Sequence, residues 1–298
     1  MLKKFLDYLR YELNRAPLTV DAYHLDISQF QQWISPDNPD SVDFGSVTAG
    51  DVRAWMAYMA KNGDSSRTLR RKIISLRALF KWMMKSGMIK SSPLRDVPLP
   101  KISKPLPELI KPEEIEGALD NLGKQDSENS NPMESLIIEM LYSLGIRRAE
   151  LVGLNDSDIS PTKAELKVTG KRSKQRIIPV PETLLLKIKE WQNYRDANEI
   201  KPIGEDPLLV VKGKRITPDQ VYRMVTKALA SSTARKKSPH ALRHSFASGM
   251  LNGGAEIDSV REFLGHASLA TTQIYTHVSL NEIKKAYAFA HPRSKDSK

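Results

Sequence analysis

Three short stretches of this chain gather side chains that can act on a phosphodiester. Gly145-Ile146-Arg147-Arg148-Ala149-Glu150-Leu151 puts two arginines at the start of a helical pattern. His240-Ala241-Leu242-Arg243-His244 sets a histidine and an arginine one helical turn apart, on one face. Leu264-Gly265-His266 is followed, nine residues after its histidine, by Tyr275. A guanidinium fork matches phosphate oxygens in a bidentate way. An imidazole moves protons near neutral pH. A phenol oxygen can attack phosphorus and carry the phosphoryl group. Lys171 joins this set, because it follows Gly170 at the tip of an expected hairpin. An ammonium there can protonate a leaving alkoxide, as can Lys174 on the same turn.

Each of these residues also has a plainer reading. Arg147 could be a surface arginine or a partner of Glu150, and turn lysines are commonly solvated. A tyrosine on an amphipathic helix usually belongs to the core, and the chain has nine. His240 and His244 share the H-x-x-x-H spacing of zinc proteases, but Ala241 stands where the glutamate is needed, and no third ligand is evident nearby. With no cysteine, disulfides, thiol nucleophiles and Cys-based zinc sites are excluded.

These side chains need a scaffold. Residues 1–92 read as helices only: a stripe of Leu2, Phe5, Leu6, Leu9 and Leu13, then helices near 19–34, 49–61 and 66–86, the third with Thr48 as its N-cap. The fourth helix opposes Leu69, Ile73, Leu76, Leu79, Phe80 and Met83 to a cationic stripe of Arg67, Arg70, Arg77, Lys81 and Lys85. Four such helices make a bundle. Prolines 93, 98, 100, 105 and 107 mark 93–107 as an extended, stiff linker. Residues 108–298 mix helices at 112–121, 132–144 and 147–154 with a hairpin over 165–180. A helix at 182–196 and a short strand at 208–211 follow. Further helices are read at 217–230, 240–252, 256–264, 268–277 and 280–289, with Gly265 ending the 256–264 helix. The class is mainly α with a small β-sheet.

The net charge is +11 and the pI about 9.6, which suits a polyanionic partner. Up to Leu106 the chain carries 17 Lys and Arg against 10 Asp and Glu, so the smaller N-terminal part holds most of the excess. No apolar run approaches the ~20 residues of a membrane span, and Asp7 and Arg10 interrupt any signal-peptide core. A cytoplasmic protein is the simplest reading.

In this order and spacing the three stretches resemble the catalytic signature of tyrosine recombinases of the Xer/phage-integrase family. The resemblance runs through nearly the whole chain, whose short, insertion-free length is Xer-like. It implies an N-terminal SAM-like core-binding bundle (1–92) and an α+β catalytic domain (108–298) with a C-terminal tail at 280–298. It also assigns roles. Arg147, three residues before Glu150, and Arg243 clamp the phosphate. Glu150 supports them. Lys171, directly after Gly170, is the general acid, and His240 is the base or proton shuttle. His266 donates to the non-bridging oxygens, and Tyr275 is the nucleophile. His244 is expected to pack or cap within the domain. The wording departs from the commoner pattern at Arg148 and Ala149, and Arg172 replaces a second hairpin glycine.

The resemblance implies strand cutting and rejoining through a 3′-phosphotyrosyl link, with no metal or other cofactor. The partners it implies are double-stranded DNA with an inverted-repeat core site and a homotetrameric synapse, or a heterotetramer with a paralogue. The cationic stripe of the fourth helix, Arg67 to Lys85, then contacts DNA phosphates. Two alternatives stay open: a catalytically silent DNA-binding accessory protein of the same fold, and a type IB topoisomerase-like enzyme. The intact catalytic set argues against the first. The helical bundle with its Pro-rich linker argues against the second.

Overall fold

The computed structural model describes residues 1–102, 109–123, 132–170, 174–198 and 206–265. The chain divides into two units, Met1–Pro105 and Leu106–Lys298.

The first unit is helical among its described residues. Helix α1 (Leu2–Asp7) runs into a π-helical turn, Tyr8–Glu12, and α2 (Pro17–Ile34), α3 (Ala49–Lys61) and α4 (Ser66–Lys85) follow. The apolar stripes face inward, so Phe5, Ile27, Phe30, Trp55, Ile73, Leu76 and Phe80 share one core. Thr48 caps α3 in a reciprocal box: Thr48 Oγ1 accepts from the Asp51 amide, and the Asp51 carboxylate accepts from the Thr48 amide. Asp26 of α2, 1% exposed, accepts from Arg71 Nη1 at 2.5 Å and Ser75 Oγ at 2.7 Å, which ties α2 to α4.

The proline-rich segment, expected as an extended, stiff linker, packs on the first unit over its described part. Over its described part Leu94 and Val97 join the core of the first unit. Arg77 Nη2 donates to the Val97 carbonyl at 2.6 Å, and Arg70 Nη1 to the Pro100 carbonyl at 3.3 Å. Prolines cannot donate to a ladder, but their own carbonyls and those of their neighbours still accept. The arginines of α4 supply the donors, and the apolar residues between the prolines supply the burial.

The second unit is built around α6 (Pro132–Leu144). From Leu136 to Leu144 every residue is buried, as its nearly uniform apolarity requires. It packs against α5 (Pro112–Gly123), α8 (Glu182–Ala197), α9 (Pro218–Ala228) and α10 (Pro239–Asn252). Its one deeply buried acid, Glu139, pairs with Lys187 of α8 at 2.5 Å. Short α7 (Arg148–Val152) follows α6 through Gly145, whose φ is +54°. A Cβ there would come within 2.3 Å of the Phe246 ring, so only glycine makes this turn.

The expected hairpin forms from β2 (Glu165–Thr169) and β3 (Gln175–Pro179), antiparallel, with Leu166 opposite Ile178 and Val168 opposite Arg176. A two-residue strand β1 (Ile159–Ser160), not foreseen, extends the sheet to the order β1-β2-β3. The strand expected at 208–211 shortens to β4 (Val210–Val211), paired with β5 (Lys214–Arg215), while Leu208 and Leu209 are buried before it. Helix α11 (Ile257–Leu264) ends at Gly265, which is left-handed at φ +64°. The helices expected at 268–277 and 280–289 lie outside the described residues, as does the 280–298 tail. No described helix is long and apolar enough to cross a membrane.

Candidate active site

Arg147 stands at the N-cap of α7, in extended backbone. Glu150, one turn later, folds back on it: the Arg147 amide donates to Glu150 Oε2 at 2.8 Å, and Arg147 Nη1 to Oε1 at 2.7 Å. Arg243, in the middle of α10 and 5% exposed, reaches under the same place. Its Nη1 donates to the Gly145 carbonyl at 2.5 Å, and its Nη2 to the Leu264 carbonyl at 2.7 Å. Arg147 Nη2 donates to the next carbonyl, Gly265, at 3.0 Å. The two arginines that the sequence separates by 96 positions therefore lie side by side at the C-terminal end of α11, which carries the negative end of a helix dipole.

A third arginine completes the arrangement, and sequence reasoning missed it. Arg176 of β3 holds Glu150 with its fork, Nη1 to Oε1 and Nη2 to Oε2, both at 2.9 Å. Its Nε donates to the Phe263 carbonyl at 3.0 Å. Phe263, Leu264 and Gly265 thus each accept from a different arginine: 176, 243 and 147. A signal existed. In a strand of period two, Arg176 shares a face with buried Ile178 and lies opposite buried Val168, so an arginine there points inward and needs a partner.

Electrostatics follow from this geometry. Burial pushes the Glu150 carboxyl up, but the Arg176 fork and charge, with the hydrogen bonds from the Arg147 amide and side chain, outweigh it and hold it at about 2. Burial, together with the charges of Arg147 and Arg176, brings Arg243 down to about 10 against the opposing pull of Glu150. Two guanidinium groups here bind one carboxylate, and a third, Arg243, lies close enough to feel all of their charges.

His240, on the first turn of α10, meets His244 one turn later. The two Nε2 atoms are 3.0 Å apart and the rings are edge to face. His244, expected to serve packing or capping, thus also touches the candidate base directly. Partial burial first, then His244, Arg243 and Lys236, push His240 below the usual imidazole range, so its neutral, proton-accepting form persists. Ser238 caps α10 through the Ala241 amide, which fixes where this turn begins.

Lys171, His266 and Tyr275 lie outside the described residues. Their chain neighbours Gly170 and Gly265 do not. Gly170 sits over Glu150 and Arg176: a Cβ there would lie 3.5 Å from Glu150 Oε1. A Cβ on Gly265 would lie 3.1 Å from Arg176 Nη1.

The cationic stripe of α4 forms as expected on the helix, but its members differ. Arg67, Lys81 and Lys85 are exposed, with Lys85 Nζ 5.3 Å from the Tyr8 ring centroid. Arg70 and Arg77 are half-buried against carbonyls of residues 100 and 97. Arg67, Arg70 and Arg71 also line a groove between α2 and α4, with Tyr23, Ile74 and Ile102.

Comparison with known proteins gives the family. Residues 108–282 match the model of the phage integrase family, and residues 2–87 match the phage integrase N-terminal SAM-like domain. Tyrosine recombinase XerC of Chlorobaculum tepidum is 33% identical, over 98% of this chain and 94% of its own length. XerC of a Mycobacterium species (strain JLS) is 34% identical over 99% of both chains. Among solved structures, the XerH site-specific recombinase bound to difH substrate is 25% identical, with a TM-score of 0.69, over 96% of this chain and 82% of that one. The Tn1549 transposon integrase in complex with transposon right-end DNA shares the fold, at 21% identity and a TM-score of 0.71, over 95% and 97% of the two chains.

Proposed function

The chain belongs to the phage integrase family, and we propose that it is a tyrosine-type site-specific DNA recombinase in which Tyr275 is the nucleophile. One observation carries the assignment of the site: Arg147 and Arg243 come side by side, near His240, at the end of α11, with Arg147 held by Glu150. Two guanidinium groups so placed neutralise the charge that builds on a five-coordinate phosphorus, as pre-set donors do for other oxyanions. The Tyr275 oxygen forms the new bond to phosphorus, and the bond to the 5′-oxygen breaks. His240 takes the phenolic proton, Lys171 gives one to the leaving 5′-oxygen, and His266 donates to a non-bridging oxygen. The 3′-phosphotyrosyl link keeps the bond energy until a 5′-hydroxyl of the second duplex reverses the step. Glu150 orients Arg147 without reacting.

The same reading supplies the partners. The duplex carries an inverted-repeat core site, bound in part through Arg67, Arg70, Arg77, Lys81 and Lys85 of α4, and four copies, or two and two with a paralogue, assemble the synapse in the cytoplasm. The complexes of XerH with difH and of the Tn1549 integrase with transposon DNA support DNA as the substrate. The experiment uses a nicked duplex bearing the site that the wild-type chain selects from a random-sequence pool. Wild type should leave a denaturation-resistant protein–DNA adduct. Tyr275→Phe should bind equally and leave none, and an adduct that survives in this variant overturns the assignment.

A further inference from the structure

We propose that Arg176 is the positioning residue of this site, one side chain that sets Arg147, the foot of the 171 hairpin and the end of α11 at once. The inference rests on the reading of Arg147 and Arg243 as phosphate clamps.

Valence sets the first demand. The Glu150 carboxylate offers two oxygens and holds four donors: the Arg147 amide, Arg147 Nη1, and both ends of the Arg176 fork. Glu150 is 5% exposed, so a lost donor is not replaced cheaply by water. Without Arg176, the carboxylate would keep only Arg147 among these donors. It would then draw that guanidinium inward as an ion pair, away from any phosphate. Arg176 supplies the opposing charge that lets Arg147 lean on Glu150 without being captured by it.

Geometry extends the same role to two other places. Arg176 Nε holds the Phe263 carbonyl, and its guanidinium lies against Gly265, the residue before His266 in the chain. Gly170, the residue before Lys171, lies 3.9 Å from Arg176 Nη1 when given a Cβ. A planar fork with a third donor at its base can satisfy all these demands; a lysine, with one nitrogen, cannot span two carboxylate oxygens and a carbonyl. Arg176 need not touch the substrate for any of this. Its effect is on where other groups stand, and misplacement by about 1 Å can slow a reaction roughly 100-fold.

The test measures single-turnover adduct formation and DNA affinity for the full chain, on a nicked duplex bearing the pool-selected site. Arg176→Ala should bind within a few-fold of wild type and cleave about 100-fold more slowly. Arg176→Lys, which keeps the charge but not the fork, should bind normally and cleave more slowly than wild type, and it carries the test if the alanine variant does not fold. The decisive readout is coupling to Glu150. Once Glu150→Gln has removed the charge that Arg176 opposes, adding Arg176→Ala should slow cleavage by well under 100-fold further, the remainder being what Arg176 does at the Phe263 carbonyl and at Gly265. A role confined to stability would instead make the two losses multiply, which overturns the inference. Wild-type cleavage by Arg176→Lys overturns it as well. Arg147→Ala separates the levels. If Arg147→Ala fails to cleave while the Arg176 variants behave as wild type, the inference alone is wrong. If Arg147→Ala cleaves normally, the reading of the site is wrong.

Discussion

Two buried arginines in the second unit have opposite electrostatic surroundings. Arg195 of α8 is 1% exposed and meets Asp156 through a bidentate pair at 3.0 and 2.7 Å. It also donates to Asp196 and to the carbonyls of Pro207 and Leu208. Burial lowers its pKa, but the two aspartates outweigh burial and raise it. Arg243 is nearly as buried, yet its guanidinium donates to the carbonyls of Gly145 and Leu264 and its neighbours include two more guanidinium groups. Its pKa falls to about 10. The first arginine is a strut, neutralised by two carboxylates, joining α8 to the segment before β4. The second donates to carbonyls beside two arginines that both bind Glu150. A guanidinium whose pKa is lowered among like charges marks a candidate functional site, whereas a strut paired with aspartates does not carry that mark.

The largest effect should separate these two. Arg243→Ala should lower cleavage about 1,000-fold in the protein that remains folded, the scale of a lost transition-state donor; its midpoint of thermal unfolding should fall as well, because two carbonyls lose their buried donor, with the relief of repulsion among three cations offsetting part of that loss. Arg195→Ala should lose stability alone. It leaves Asp156 without its fork, at a cost of about 3–5 kcal/mol, and should unfold several degrees lower while the folded fraction cleaves at the wild-type rate. Melting curves and single-turnover rates on the same preparations check both. If the two variants show the same pattern, the distinction between strut and site is wrong.

A smaller effect concerns acid. The Glu150 carboxyl sits at about 2 in the folded chain, below its usual value of 4.5. Its contribution is therefore fully present above about pH 4.5 and is lost as pH falls toward 2. That amounts to something on the order of 3 kcal/mol. Glu150→Gln should be less stable than wild type at neutral pH, and the gap should close across this window. A gap that stays constant down to pH 2 would mean that the arginines do not hold the carboxylate in its charged form.

Much of this was legible in the sequence, for reasons that are local. Thr48 and Asp51 form a capping box, so α3 begins where the side chains say it must. Gly265 ends α11 because glycine reaches the left-handed region freely. The stripe of Leu69, Ile73, Leu76 and Phe80 has the helical period, so α4 buries that face and leaves Arg67, Lys81 and Lys85 exposed. What stayed hidden depends on contacts distant in sequence. Nothing near residue 94 says that Leu94 and Val97 return to the core of the first unit, or that Arg77 reaches forward to hold them. Likewise, the spacing of Arg147 from Glu150 is visible, but the fork from Arg176 crosses 26 residues and a hairpin. Its only local trace is an inward-facing arginine in an alternating strand.

The smallest effect should come from His244, and it tests whether the surplus charge extends to the base. The His240 and His244 Nε2 atoms lie 3.0 Å apart, so each ring sits within direct reach of the other's charge. Burial, His244, Arg243 and Lys236 all push the His240 pKa down. A lowered imidazole pKa keeps the neutral base available as pH falls, so the acid limb of the wild-type cleavage profile should lie below the ordinary histidine range. His244→Gln removes one of the charges that hold it there but leaves burial, Arg243 and Lys236 in place. The limb should move upward, by less than about one pH unit, with the plateau rate near neutral pH little changed. Arg195→Ala, which removes none of the groups that act on His240, should leave the limb where it is. A limb that stays fixed or moves downward in His244→Gln would mean that His244 does not set the protonation of His240. The positive field would then end at the three arginines and Glu150.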